Sequence, residues 1–207
     1  MAARTNADDS LCISLRVANQ NIECGKRMPI EPGKGLMVDR FSFYLSNLNC
    51  FSKGLMIHQV ASPLLIHACE RPQKLAIPSQ CDSISLTLGI DSVIQEQGPL
   101  AGHLDPIHGF YWTWQSGYIH IKFEGKTISE NAPSERPFTL HLGGYRGAQN
   151  CVITRGFRRK PGCNTLGIHL DELLESEVFL NKPLVMSPGP QARKMALIIA
   201  DSIKLEP

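Results

Sequence analysis

The chain has 207 residues, of which 43% are hydrophobic and 19% charged, with a formal net charge of +2. That length and apolar content suit one domain able to bury its own core, and they exclude a wholly disordered chain. With 21 basic against 19 acidic residues there is no basic field, so nucleic-acid binding has no support.

Met1 to Ser10 is polar and has no apolar h-region, so no signal peptide is read there. Residues 1–10 are expected to be disordered or expression-derived, ahead of one domain over 11–207. Leu11, Ile13, Leu15 and Val17 then alternate with Cys12, Ser14 and Arg16, the period of a strand with one buried face. Phe41, Phe43 and Leu45 repeat the pattern, as do Ile84, Leu86, Leu88 and Ile90. Ile119, Ile121 and Phe123 alternate with His120, Lys122 and Glu124, and Phe138, Leu140 and Leu142 alternate with Thr139 and His141. Leu166, Ile168 and Leu170 form a last set. Turn-rich stretches separate them, in keeping with 17 Gly and 14 Pro, more than the roughly 12% usual for the two together.

Helical signals are few. Asp171 to Glu175 suits a short helix. Near the end, Ala192, Met195, Ala196, Ile199 and Ile203 share one helical face, and Ser187-Pro-Gly-Pro190 marks its start, because proline is tolerated in a first turn. The chain therefore reads as mainly β: a single-domain antiparallel β-sandwich with long loops and a C-terminal helix. No stretch reaches the roughly 18 apolar residues that a membrane span needs.

No Walker A, GxSxG, HExxH or GxGxxG pattern occurs, and no acidic pair is spaced for acid–base work, so an enzyme is not expected. The seven cysteines, Cys12, Cys24, Cys50, Cys69, Cys81, Cys151 and Cys163, form no CxxC pair. Scattered in this way they suit an oxidising compartment better than a metal cluster, and the odd count leaves at least one unpaired.

Chemistry-bearing residues concentrate between Gly102 and Glu124. Both tryptophans, Trp112 and Trp114, lie there, flanked by Tyr111 and Tyr118, together with His103, His108 and His120. His141 sits on a strand, opposite the apolar face of Phe138, Leu140 and Leu142. Where those strands neighbour one another, His141 can meet His103 or His108 beside the indoles. Imidazole is a preferred ligand of copper and zinc, so two or three such histidines would make an open, low-coordinate metal site. The plainer readings are solvent-facing loop histidines at His103 and His108, an exposed strand residue at His120, a hydrogen-bonded sheet histidine at His141, and packing for the tryptophans. His58, His67 and His169 have no cluster and read as structural.

Several pieces resemble the MbnP-like family of exported copper-binding proteins, related to the copper proteins MopE and CorA. They are Phe41-Ser-Phe-Tyr-Leu-Ser-Asn-Leu48, Leu86-Thr-Leu-Gly-Ile90, Leu104-Asp-Pro106, Gly109-Phe-Tyr-Trp-Thr-Trp-Gln-Ser-Gly-Tyr-Ile119, Phe123-Glu-Gly125, Phe138-Thr-Leu-His-Leu-Gly-Gly144 and Val185-Met-Ser-Pro-Gly189. The resemblance implies a mainly-β sandwich exported to the periplasm or cell surface. It implies one copper ion, held by two histidines and a kynurenine made by oxidising a tryptophan, for metal acquisition or storage. The partner that it implies is a diheme protein resembling cytochrome c peroxidase.

On this sequence the resemblance puts His141 at the family's downstream histidine and Trp112 or Trp114 at the modified position. The second histidine falls to His103 or His108, since the Asn-His-x-Asp piece found in many members after the LGI segment is not present over Ile90 to Gly98. One branch's four-cysteine pattern does not transfer. Cys50, Cys69 and Cys81 are close enough in sequence for one pair among them. A competing reading is a metal-free adhesion or ligand-binding module, in which exposed Tyr111, Trp112, Trp114 and Tyr118 stack on sugars or a partner surface.

Overall fold

The computed structural model describes residues 10–60, 62–70, 73–130, 134–160 and 164–207. Residues 1–9, which hold most of the N-terminal stretch expected to be disordered or expression-derived, and Cys163 lie outside the described residues. The first alternating run becomes β1 (Ser10–Val17), with Leu11, Ile13, Leu15 and Val17 buried and the residues between them half-buried. Ala18 and Asn19 have φ of +48° and +60°, the left-handed pair that a two-residue hairpin turn requires. They lead into β2 (Gln20–Asn21), β3 (Arg27–Glu31) and the 19-residue β4 (Lys34–Ser52). A second such turn at Lys53-Gly54 joins β4 to β5 (Leu55–Val60).

β6 (Leu64–His67), β7 (Lys74–Ala76) and β8 (Ser83–Leu88) follow. A long segment then carries the short helix α1 (Ser92–Gln95), 3-10 turns at Gly102–Leu104 and Pro106–His108, and β9 (Tyr111–Thr113). Next come β10 (Gly117–Ser129), β11 (Glu135–Gly143), β12 (Ile153–Arg158) and β13 (Thr165–His169). The chain ends with α2 (Asp171–Glu175), α3 (Glu177–Asn181), β14 (Leu184–Val185), α4 (Pro190–Asp201) and β15 (Ile203–Glu206).

Two sheets result. The smaller runs β15-β13-β1-β2, with β7 also on β1; the larger runs β12-β8-β4-β10-β11-β14, with β3, β5 and β6 on β4 and β9 on β10. The apolar residues of β1 meet Phe41, Phe43, Ile121, Phe123, Leu140 and Leu142 of the larger sheet in one core, which makes the fold a β-sandwich. Pairing is mostly antiparallel, but β1–β13 and β11–β14 are parallel. Alternation has the same period in both arrangements, so the sequence pattern does not separate them.

Pro190 occupies the first turn of α4, and Ala192, Met195, Ala196 and Ile199 are buried against the sandwich. The stripe stops there, because Ile203 belongs to β15. Of the trio Cys50, Cys69 and Cys81 one pair forms, Cys50–Cys81, whereas Cys69 bonds to Cys24; the thiols of Cys12 and Cys151 are free. Such cross-links typically stabilise a domain by about 2–4 kcal/mol each.

Candidate metal centre on the outer face of the large sheet

Because β4, β10 and β11 send Phe41, Phe43, Ile121, Phe123, Leu140 and Leu142 inward, the residues between them point outward. His67 of β6, Ser42 of β4, Lys122 of β10 and His141 of β11 are successive register partners, so they form one row across four strands. The next row sets Arg40 beside Glu124 and Glu124 beside Thr139. A polar face of this kind is ordinarily left to solvent. Here residues 89–118 fold over it and build a second apolar cluster from Ile90, Leu104, Phe110, Tyr118, Tyr44 and Leu65. Ser42, Lys122 and His141 are consequently only 2%, 7% and 8% exposed.

Nε2 of His141 lies 2.6 Å from Oε1 of Glu124, whose other oxygen is 3.7 Å from Arg40. Burial holds the His141 pKa below its ordinary value; Glu124 opposes that shift, while Lys122 and Arg40 reinforce it. The imidazole is thus neutral at neutral pH. With Nε2–H donated to the carboxylate, Nδ1 keeps its lone pair, the form in which a histidine ligates a metal. The Trp112 ring packs on Gly143, two residues along the same face of β11. A Cβ at Gly143 would stand 2.7 Å from Cζ3 of that ring and 2.7 Å from the Tyr118 carbonyl oxygen, so a side chain there would displace the indole. Trp112 is half-buried and Trp114, in the following turn, is 77% exposed.

His103 and His108 sit in the covering segment with exposed rings. The His103 carbonyl accepts a hydrogen bond from Tyr44, and the His108 ring bonds to the Gly102 carbonyl at 3.0 Å. Gly109, directly after His108, lies over Lys122: a Cβ on it would be 3.7 Å from Nζ. Lys122 is the register partner of His141, so the backbone just after His108 reaches the row, while the His108 ring itself bonds back to Gly102. Among the described residues no group of three or more His, Cys, Asp and Glu side chains is arranged to hold a metal. His103, His108 and His141 therefore do not form a ready cage. His67 is three strand spacings from His141, roughly 14 Å, too far for both to bind one ion; its Nδ1 bonds to Ser42 at 2.9 Å.

His120 is not the exposed strand residue that alternation suggests. The register of β10 against β11 shifts between Ile119 and Ile121, and His120 is fully buried. Its ring lies against Gly89 (φ +95°), where a Cβ would come within 2.7 Å of Nδ1. Gln95 accepts from the Tyr118 N–H at 2.8 Å and donates to the Ile90 carbonyl at 3.3 Å, which fixes the orientation of its amide. Its Nε2 therefore donates to His120 Nε2 at 2.5 Å, so the proton of the neutral ring is on Nδ1. Nδ1 has no partner of ordinary hydrogen-bond geometry. Burial pushes the His120 pKa down to about 4, weakly opposed by the backbone of Cys151. Sequence alternation gave no sign of this anchor, because Gln95 is remote along the chain.

The aromatic platform of the metal-free reading is mostly not on the surface. Tyr118 is wholly buried, bonding through its hydroxyl to the Leu104 carbonyl, and Tyr111 is half-buried. A cavity of about 580 Å³ with Val17, Ile30, Ile128 and Leu174 on its walls adjoins Thr127–Ser129, at the other end of β10 from the tryptophans. Among the described residues no helix is long and apolar enough to cross a membrane.

The family model for MbnP matches residues 7–180. Among solved structures, the chain is similar to MbnP from Methylosinus trichosporium, with 15% identity and a TM-score of 0.58, over 81% of this chain and 77% of that one. At that identity the likeness concerns the fold. No curated protein sequence matches the chain.

Proposed function

The chain belongs to the MbnP family, and on that premise we propose that it is an exported copper-binding protein, not an enzyme, serving metal acquisition or storage at the periplasm or cell surface. The observation that carries this reading is the neutral His141, held by Glu124 at 2.6 Å beneath a cover that also brings Trp112 against the same strand. The donors fit copper in kind: a nitrogen ligand with its second nitrogen fixed by a carboxylate, in a partly dried pocket beside an indole. His141 would supply one bond and a histidine of the cover, His108 or His103, the other. An oxidised Trp112 would complete the set; Trp114 points to solvent and is the lesser candidate.

Copper would supply the bound cargo, and the chain's own residues orient, screen and retain it. Glu124 fixes the tautomer of His141. Phe110 and Tyr118 exclude water. Gln95 and His120 anchor the cover. Two disulfides suit an oxidising compartment outside the cytoplasm. The partner that oxidises the tryptophan would be a diheme protein resembling cytochrome c peroxidase. Protein taken from its native envelope tests the reading. The peptide carrying Trp112 should be about 4 Da heavier, as replacing an indole carbon by oxygen requires, and about one copper per chain should accompany it. Native protein with plain tryptophans and no copper would contradict it.

A further inference from the structure

At the far end of β4 the large sheet carries apolar side chains out into water. Leu55, Met56 and Ile57 are 72%, 55% and 44% exposed, the one consecutive run of exposed large hydrophobics among the described residues. They follow the Lys53-Gly54 turn in β5, which among the described residues pairs only with β4. Met56, Phe51, Ser83 and Arg158 are successive register partners, so one row crosses β5, β4, β8 and β12 at this end. Phe51 stands nine residues beyond Ser42 on β4, which sets this row roughly 30 Å from that of His141. Basic residues flank the apolar ones. Lys53 is in the turn, and Arg158, Arg159 and Lys160 stand at or just past the end of β12. Arg159 is tied to Asn164 at 2.5 Å. The exposed side chains of Lys53, Arg158 and Lys160 make no hydrogen bond or close ion pair among the described residues. The acid beside them, Asp82, is engaged within the chain, by the Lys53 N–H at 2.6 Å and the Ser83 hydroxyl at 2.8 Å.

We propose that the tip of the β4–β5 hairpin docks on an anionic lipid surface. Leu55, Met56 and Ile57 enter the boundary between headgroups and acyl chains, and Lys53, Arg158 and Lys160 reach the phosphates on their long stems. An apolar cluster beside unpaired cations is complementary to an apolar interior under a negative surface, and an anionic bilayer supplies both together. Strand addition by a second copy fits less well. The pairing of β5 slips between Cys50 and Phe51, and a bulge of this kind spoils an edge as a template for another strand. Docking at the tip needs no metal at His141, and it leaves the covered face clear of the membrane.

Co-sedimentation with vesicles tests this, using phosphatidylcholine alone and phosphatidylcholine mixed with phosphatidylglycerol. At low salt the protein should bind the mixed vesicles at least about tenfold better than the neutral ones, and added salt should weaken that binding. The combined variant Leu55→Ser, Met56→Ser, Ile57→Ser should bind the mixed vesicles more than about tenfold less well. Lys53→Gln together with Arg158→Gln should lose about tenfold as well. Val93→Ser, at a site 70% exposed on α1, should bind as wild type does. Every substituted side chain is exposed, so the melting temperatures should hardly move. A spin-labelled lipid should broaden the Met56 methyl resonance more than that of Met186. Equal binding to neutral and anionic vesicles, or binding kept by both combined variants, overturns the docking surface. So does a protein that ignores both vesicles but forms a dimer in sedimentation velocity that the serine variant abolishes, since the tip then belongs to a second copy.

Discussion

The two faces of β4, β10 and β11 use the same backbone for opposite purposes. Inward, Phe41, Phe43, Ile121, Phe123, Leu140 and Leu142 meet β1 in a core that water exclusion alone explains. Outward, Ser42, Lys122 and His141 are buried and Glu124 is half-buried, although a polar sheet face costs nothing to leave in water. An apolar face is covered because burial is favourable; a polar face is covered only where something further compensates the desolvation. Here the cover brings its own small core, Phe110, Tyr118 and Leu104 on Tyr44 and Leu65, so its stability does not depend on the groups beneath it. That division leaves those groups free to be arranged for chemistry.

The contrast can be broken first from the inside. Phe123→Ala should cost about 3–5 kcal/mol by denaturant unfolding, since the ring is fully buried between Phe41 and Phe138. Copper should be lost only as far as the fold is lost.

His120 should give the next largest effect, through pH. Its folded pKa is about 4 against an ordinary value of 6.5, so the unfolded chain binds the extra proton first as pH falls. The stability tied to the neutral ring is whole above pH 6.5 and is lost between 6.5 and about 4, a contribution of up to about 3 kcal/mol. Urea unfolding followed across this range should show that acid limb in wild type and a flatter one in His120→Gln. Equal slopes in the two proteins would mean that burial of this ring does not govern acid sensitivity.

Much of this division was legible in the sequence. Alternation assigns the inner and outer residues of β1, β4 and β11, of β8 as far as Leu88 and of β10 from Ile121 onward, whereas Ile90 and Ile119 join the second cluster on the opposite side. Alternation assigns a side to each residue but does not say what will cover that side. His120 departs from the pattern because a one-residue register shift in β10 and a glutamine 25 positions away decide its burial. In the sequence Lys122 and Glu124 are only the polar half of a strand, since their importance comes from the neighbours that the sheet register supplies. The parallel partners of β1 and β11 were hidden for the same reason.

A finer separation of the faces comes from Glu124→Gln. Loss of the carboxylate that orients His141 should weaken copper about 10–100-fold, while the melting temperature changes little because the inner core is untouched. Smallest of all, Trp114→Ala should shift stability by no more than about 0.5 kcal/mol, and it should leave copper binding and any change at Trp112 intact.

Copper titration of His141→Ala beside wild type, with the melting transition of each recorded, tests the central claim most directly. Wild type should take up about one ion, and the variant should bind it more than about 100-fold less tightly while still melting cooperatively. Copper bound equally well by a folded His141→Ala protein would contradict the assignment of the covered face as the metal centre.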